Sequence, residues 1–265
     1  FGVILDVSLR LVDNVVVEKR VKLLDYAEYV DTLRTVVVPD PTIQLHFGRL
    51  NIDELASEKF LREMYTVDFS TTAQIDGYEV LSTEKNARLM GSVMEMGEWS
   101  KRAKSLRWKT MLKRFDVPGR IKRMTLNNAM RPPVQFLFER SGKRSINILQ
   151  EYFVPLDGFV PFIDGLRRVA LQQKINLQNV TLRFVAGNDR AALSYAPKDA
   201  IAVVLYINVA LNPVSLQTSE VWTRDLVDLA LTNGGRYYLA YQRWPTRGQL
   251  RRSYPGIDAF LKTKA

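Results

Sequence analysis

Residues 145–154 (SINILQEYFV), 159–173 (FVPFIDGLRRVALQQ), 179–186 (NVTLRFVA) and 200–209 (AIAVVLYINV) decide how this chain folds. The first, third and fourth are of strand length and rich in β-branched and aromatic residues. The second is too long for a strand and carries its apolar residues at helical intervals. A second helix is expected over 216–231, stopped by Asn233-Gly234-Gly235. A short strand over 237–241 and a helix from Thr246 to Ser253 follow. Strand–helix–strand twice over implies an α+β fold, a mainly antiparallel sheet with helices packed on one face. A doubly wound parallel sheet would alternate more regularly.

Working upstream, residues 42–50 alternate Ile43, Leu45 and Phe47 against Gln44, His46 and Gly48, a strand with one polar face. Strands are also expected over 3–11, 15–23 and 60–73, and helices over 25–36, 82–96 and 99–115. Asp13-Asn14, Pro39/Pro41, Pro118-Gly119 and Pro132-Pro133 punctuate them. No tandem repeat is evident.

The residue inventory narrows the chemistry. With no cysteine, thiolate catalysis, disulfides and thiolate metal sites are excluded. With one histidine, His46, a multi-histidine zinc site cannot form, and no metal site is expected. There is no phosphate-binding P-loop and no GxGxxG fingerprint. No stretch approaches the roughly 20 apolar residues of a membrane helix, so a cytoplasmic or peripheral membrane location is expected before an integral one.

The net charge of +10 is concentrated. Residues 101–123 hold ten Lys/Arg against one acid, Asp116. Lys101, Arg102, Lys104, Arg107, Lys109, Lys113 and Arg114, interleaved with Leu106, Trp108, Met111 and Phe115, have the composition of a helix lying on an anionic membrane surface. A solvated helix with an apolar underside has the same composition, and nucleic acid is not the expected partner.

Several polar residues fall on strands in positions to line a pocket. Gln44 and His46 share one strand face, and Thr181 and Arg183 share another. Glu151 ends an apolar strand and needs a partner, which Arg183 or Arg236 could supply. Arg236, Tyr237, Tyr238, Tyr241, Gln242 and Arg243 form a phenolic and basic run suited to a ring system, a phosphate or a polarised carbonyl, and equally to an ordinary domain interface.

Residues 1–11 (FGVILDVSLRL), 179–186 (NVTLRFVA), 234–241 (GGRYYLAY), and Tyr254-Pro255 followed by Phe260 and Lys262 occur in an order that resembles the vanillyl-alcohol-oxidase type of FAD-linked oxidoreductase. The branch of alditol oxidase, sugar-lactone oxidases and decaprenylphosphoryl-ribose oxidase is the most similar in flavour. The resemblance implies that residues 1–18 end an FAD-binding domain, 19–235 form the substrate domain and 236–265 return toward the flavin. It implies oxidation of a hydroxyl-bearing carbon of a sugar, polyol or lipid-linked sugar, with hydride passing to the flavin.

On this reading Tyr241 and Arg183 are the catalytic candidates, and Tyr238 and Tyr241 contact the cofactor. Gln44, His46, Glu151, Thr181, Leu205, Arg236 and Arg243 face a small hydroxylated substrate. Leu205, Thr181 and Tyr241 stand where alditol oxidase carries a histidine, an acid and a lysine, a departure from a simple polyol oxidase. FAD would be held mostly by an N-terminal segment or a separate flavin-binding chain, so these 265 residues alone are expected to bind it poorly and to be inactive. The alternative is a non-catalytic binding module that docks on an anionic membrane or a partner flavoprotein.

Overall fold

The computed structural model describes residues 5–72, 96–98, 100–130 and 144–264. Its centre is one eight-stranded sheet in the order β4-β1-β3-β2-β6-β7-β5-β8. The strands are β1 (Val16–Asp25), β2 (Ile43–Leu50), β3 (Glu63–Thr71), β4 (Lys122–Thr125), β5 (Ser145–Pro155), β6 (Leu177–Val185), β7 (Ala200–Ala210) and β8 (Arg236–Tyr237). Every pairing is antiparallel. The helices are α1 (Tyr29–Thr32, wound on more loosely through Val37), α2 (Lys101–Thr110, likewise through Phe115), α3 (Leu126–Met130), α4 (Phe159–Gln172), α5 (Pro213–Thr232), α6 (Arg247–Ser253) and α7 (Ile257–Lys264).

The sheet is built from two units of the same connectivity. In β1-α1-β2-β3 and in β5-α4-β6-β7, the last strand inserts antiparallel between the first two. Each unit is thus a split strand–helix–strand crossover. The units meet where β2 and β6 pair, Gly48 opposite Leu182 and Arg49 opposite Thr181. An antiparallel central pair relates the halves by an approximate two-fold axis. What the two units share is connectivity, and no tandem repeat is evident in the sequence.

Strand alternation assigns the two faces. On one face, Met64, Leu182, Leu205, Val203 and Tyr152 meet Tyr29, Leu33, Phe159, Phe162 and Ile163 of α1 and α4 and Trp222 and Leu226 of α5, forming the main core. Gly48 lies at the close approach in the middle. A β-carbon there would sit 2.6 Å from Met64 Cε, 3.3 Å from Leu182 Cβ and 3.4 Å from the Tyr29 ring.

The opposite face is covered in its β1–β3–β2 half by α2. There Trp108 packs on Val17, Val21, Tyr65, Val67 and Phe69. Over β6–β7–β5, among the described residues, that face meets part of the 186–199 loop through Ala196, Tyr238 after β8, and Glu98, which accepts from Asn147 at 2.7 Å.

Local sequence explains the helix starts. Asp25 accepts from Ala27 N (2.9 Å) while its own N–H donates to Glu28 (3.1 Å), a capping box before α1. Asn212 caps α5 ahead of Pro213, and Thr246 with Gln249 boxes α6.

Some expectations are revised. Residues 5–15 form no strand, and their apolar side chains at Leu5, Leu9 and Leu11 are exposed. A strand without a neighbour leaves its backbone groups unpaired, which disfavours it. The strand expected over 237–241 is only Arg236–Tyr237. The expected 82–96 helix, but for Met96, and the prolines 132 and 133 lie outside the described residues.

Candidate functional site

The face of β5, β7 and β6 opposite the main core gathers polar side chains. β6 alternates Val180, Leu182 and Phe184 toward the main core, which leaves Thr181 and Arg183 on the opposite side. β5 likewise sends Gln150 and Tyr152 to the helix side and Glu151 to the open side.

The third contributor arrives through a turn. α5 ends with Gly234 at φ +72°, and the Gly235 N–H returns to the Ala230 carbonyl at 2.7 Å. A β-carbon on Gly235 would lie 2.7 Å from the Phe153 carbonyl oxygen. Only glycine lets the chain pass this close to β5. Immediately after, the Tyr238 N–H donates to the Glu151 carbonyl at 2.9 Å, and the following turn brings Tyr241 to the Glu151 carboxylate.

Glu151 and Tyr241 therefore line one cleft, and the charge of Arg183 reaches Glu151. Burial raises the Glu151 carboxyl above the usual carboxylate value, against the opposing pull of Arg183 and of the Tyr241 hydrogen bond. Burial also raises the Tyr241 phenol, helped by the negative charge and hydrogen bond of Glu151. The result is an acid and a phenol that each hold their proton more tightly than usual, near an exposed guanidinium.

An aromatic wall flanks them. Phe153 and Tyr195 have ring centroids 4.3 Å apart, Tyr195 and Tyr238 5.5 Å, and Tyr238 and Tyr241 5.5 Å. Behind Tyr241, a narrow cleft is lined by Glu151, Tyr237, Thr223 and Gln242. The side-chain oxygen of Gln242 is buried there without a hydrogen-bond partner. Phe153 and Tyr195 had no distinguishing signal in sequence, since Tyr195 sits in an aperiodic loop.

The remaining candidates lie elsewhere. His46 is on the helix side of the sheet, its side chain 5% exposed, with Nδ1 2.5 Å from Asp68 and Nε2 3.0 Å from the Tyr29 hydroxyl. Gln44 is exposed and bonds the Pro41 carbonyl at 3.2 Å. Leu205 is fully buried in the main core. Arg236 donates to the Ser194 carbonyl at 2.6 Å and stacks over Tyr254, tying the 186–199 loop to β8. Arg243 is exposed. Thr181 accepts from Asn179 at 2.8 Å beside Arg183.

The basic stretch is divided. Lys101 and Lys104 pair with Glu54 at 2.8 and 3.1 Å, and Arg107 bonds the Gln178 carbonyl. Arg102, Lys109, Lys113 and Arg114 face outward. Among the described residues, no group of three or more His, Cys, Asp or Glu is placed to hold a metal ion, and no helix is long and apolar enough to cross a membrane.

No family model and no curated protein matches the chain. Solved structures of berberine bridge enzymes resemble it in fold. A variant described as a reticuline dehydrogenase aligns over 83% of this chain and 41% of its own, at 12% identity and a TM-score of 0.36. The enzyme from Eschscholzia californica aligns over 82% and 40%, at 11% identity and 0.34. A variant in complex with (S)-reticuline aligns over 85% and 42%, at 11% and 0.34. The chain thus spans about two-fifths of the length of these enzymes.

Proposed function

We propose that this chain supplies the substrate-facing wall of an FAD-dependent oxidoreductase acting on a hydroxyl-bearing carbon of a sugar, polyol or lipid-linked sugar. The observation that carries the reading is that Glu151 and Tyr241 line one cleft, with the charge of Arg183 acting on Glu151. The donor set fits the edge of a flat, oxygen- and nitrogen-bearing ring and a hydroxylated ligand beside it. It comprises an acid, a phenol, a guanidinium, the orphaned Gln242 oxygen and an aromatic wall. It does not supply a pyrophosphate cradle, since no glycine-rich phosphate fingerprint occurs in the sequence. FAD is therefore held mainly by protein outside these residues.

When bound, the flavin supplies a two-electron acceptor. Glu151, its basicity raised by burial, accepts the proton of the substrate hydroxyl. Arg183 steadies the developing oxygen charge. Tyr241, its phenol raised by burial and by the charge of Glu151, keeps its proton beside the carboxylate in the same cleft.

The test uses the gene product that contains this chain, purified with its flavin and mixed anaerobically with a panel of sugars and polyols. Flavin bleaching by at least one of them is expected, slowed about 10²–10⁴-fold by Glu151→Gln. If no hydroxylated compound bleaches the flavin, or if Glu151→Gln and Tyr241→Phe leave the rate unchanged, the reading fails. The 265-residue chain alone is expected to bind added FAD weakly.

A further inference from the structure

α2 divides its charges between two sides. Lys104 is 2% exposed and is held by Glu54 and by Asn176 Oδ1 at 2.6 Å, and Lys101 shares the same carboxylate. The outer side is different. Arg102, Leu106, Lys109 and Lys113 follow one another at spacings of four, three and four residues, a single stripe along the helix, and all four are exposed.

The stripe continues past the helix end. Arg114 and Phe115 are exposed, and the Lys19 ammonium that bonds the Phe115 carbonyl sits opposite Lys122 in the β1–β4 register. Lys122 and the neighbouring Arg120 and Ile121 therefore border the same end of α2.

Among the described residues, Arg102, Lys109, Lys113, Arg114, Arg120 and Lys122 have no carboxylate within ion-pairing distance. The one acid of the stretch, Asp116, is buried and already bonded to Lys19 and to the Tyr65 hydroxyl at 2.8 Å. Between the six cations stand Leu106 (64% exposed), Phe115 (52%) and Ile121 (56%).

We propose that this surface docks the protein on an anionic lipid bilayer. Six cations with no carboxylate partner among the described residues are complementary to a negative surface, and each contributes about fivefold in affinity near such a membrane. The apolar side chains between them select the partner. They have nothing to bury against on a nucleic-acid phosphate backbone, whereas at a headgroup boundary Leu106, Phe115 and Ile121 can enter the acyl region. The proposal is independent of the oxidoreductase reading.

The test is co-sedimentation of the 265-residue chain with vesicles of phosphatidylcholine alone or with about a third phosphatidylglycerol, at low and high salt. Binding to the anionic vesicles, weakened strongly by salt, is expected. Arg102→Glu, Lys109→Glu and Lys113→Glu together should weaken it about a hundredfold or more. Leu106→Ser with Phe115→Ser should weaken it several-fold with the charge unchanged. Arg168→Glu, Lys198→Glu and Arg247→Glu, exposed cations elsewhere, should weaken it far less. Circular dichroism checks that each variant is folded.

Equal binding to neutral and anionic vesicles overturns the proposal, as does equal loss in the stripe and control variants. Binding to duplex DNA without binding to anionic vesicles overturns it in favour of a nucleic-acid surface.

Discussion

Tyr29 and Phe159 occupy the same place in the two halves of the molecule, each opening the helix of its unit, and their rings meet with centroids 5.6 Å apart. Both are fully buried. Phe159→Ala should leave a cavity at the junction and destabilise the fold by about 3–5 kcal/mol, read from urea denaturation. Tyr29→Phe keeps the ring but strips His46 Nε2 of its partner, and should cost about 1–2 kcal/mol. A Phe159→Ala variant as stable as the parent would show that the halves do not depend on this contact.

Glu151 carries a pH signature. Its folded-state carboxyl value is raised, chiefly by burial, so the folded protein binds this proton more tightly than the unfolded chain does. Its contribution to stability therefore falls as pH rises from the ordinary glutamate value, about 4.3, through the raised folded value. Glu151→Gln should raise the melting temperature at pH 7 and give no gain below about pH 4. A variant equally stabilised at both pH values would place the effect elsewhere.

Glu54 behaves in the opposite sense. Burial alone would raise its carboxyl, but Lys101 and Lys104 hold it below the usual value. The stabilisation is present above the unfolded glutamate value and is lost as pH falls through the folded one. Lys104→Met removes one partner of a buried pair and should cost about 3 kcal/mol at pH 7. The difference from the parent should narrow as pH falls below the ordinary glutamate value, about 4.3, and through the lower folded value, where Glu54 takes up its proton and the parent loses the same pair. Denaturation curves at the two pH values decide it.

Gly235→Ala should cost about 1–3 kcal/mol, because the new methyl group meets the backbone carbonyls of Phe153 and Ala230 rather than a yielding side chain. It should also loosen Tyr241 from Glu151, so the pH-dependent gain of Glu151→Gln is expected to shrink in the Gly235→Ala background. Additive effects of the two substitutions would show that the turn and the acid are uncoupled.

Much of the fold was legible because its signals are local. The two-residue alternation of β6 put Thr181 and Arg183 on one side, and the helical spacing within 159–173 gave α4. The site was legible in part. Arg183, Tyr241, Glu151 and Tyr238 come together, while His46, which has the same alternating context as Arg183, lies on the other side of the sheet. Alternation says that two sets of side chains part company, but not which set a helix will cover. The expected basic surface was too broad for a similar reason. Glu54 is fifty residues from Lys104 in the chain, and only packing reveals that it neutralises the inner side of α2.

The order of strands and helices, the caps at Asp25, Asn212 and Thr246, and the clustering of positive charge were determined by the sequence by itself, because each depends on residues within a turn or two of one another. The tertiary structure alone decided the duplication of the two units, the burial of His46 against Tyr29 and Asp68, and the meeting of Glu151 with Tyr241. Those relationships join segments from 17 to 130 residues apart, and their energy comes from desolvation and close packing that exist only once the sheet has formed.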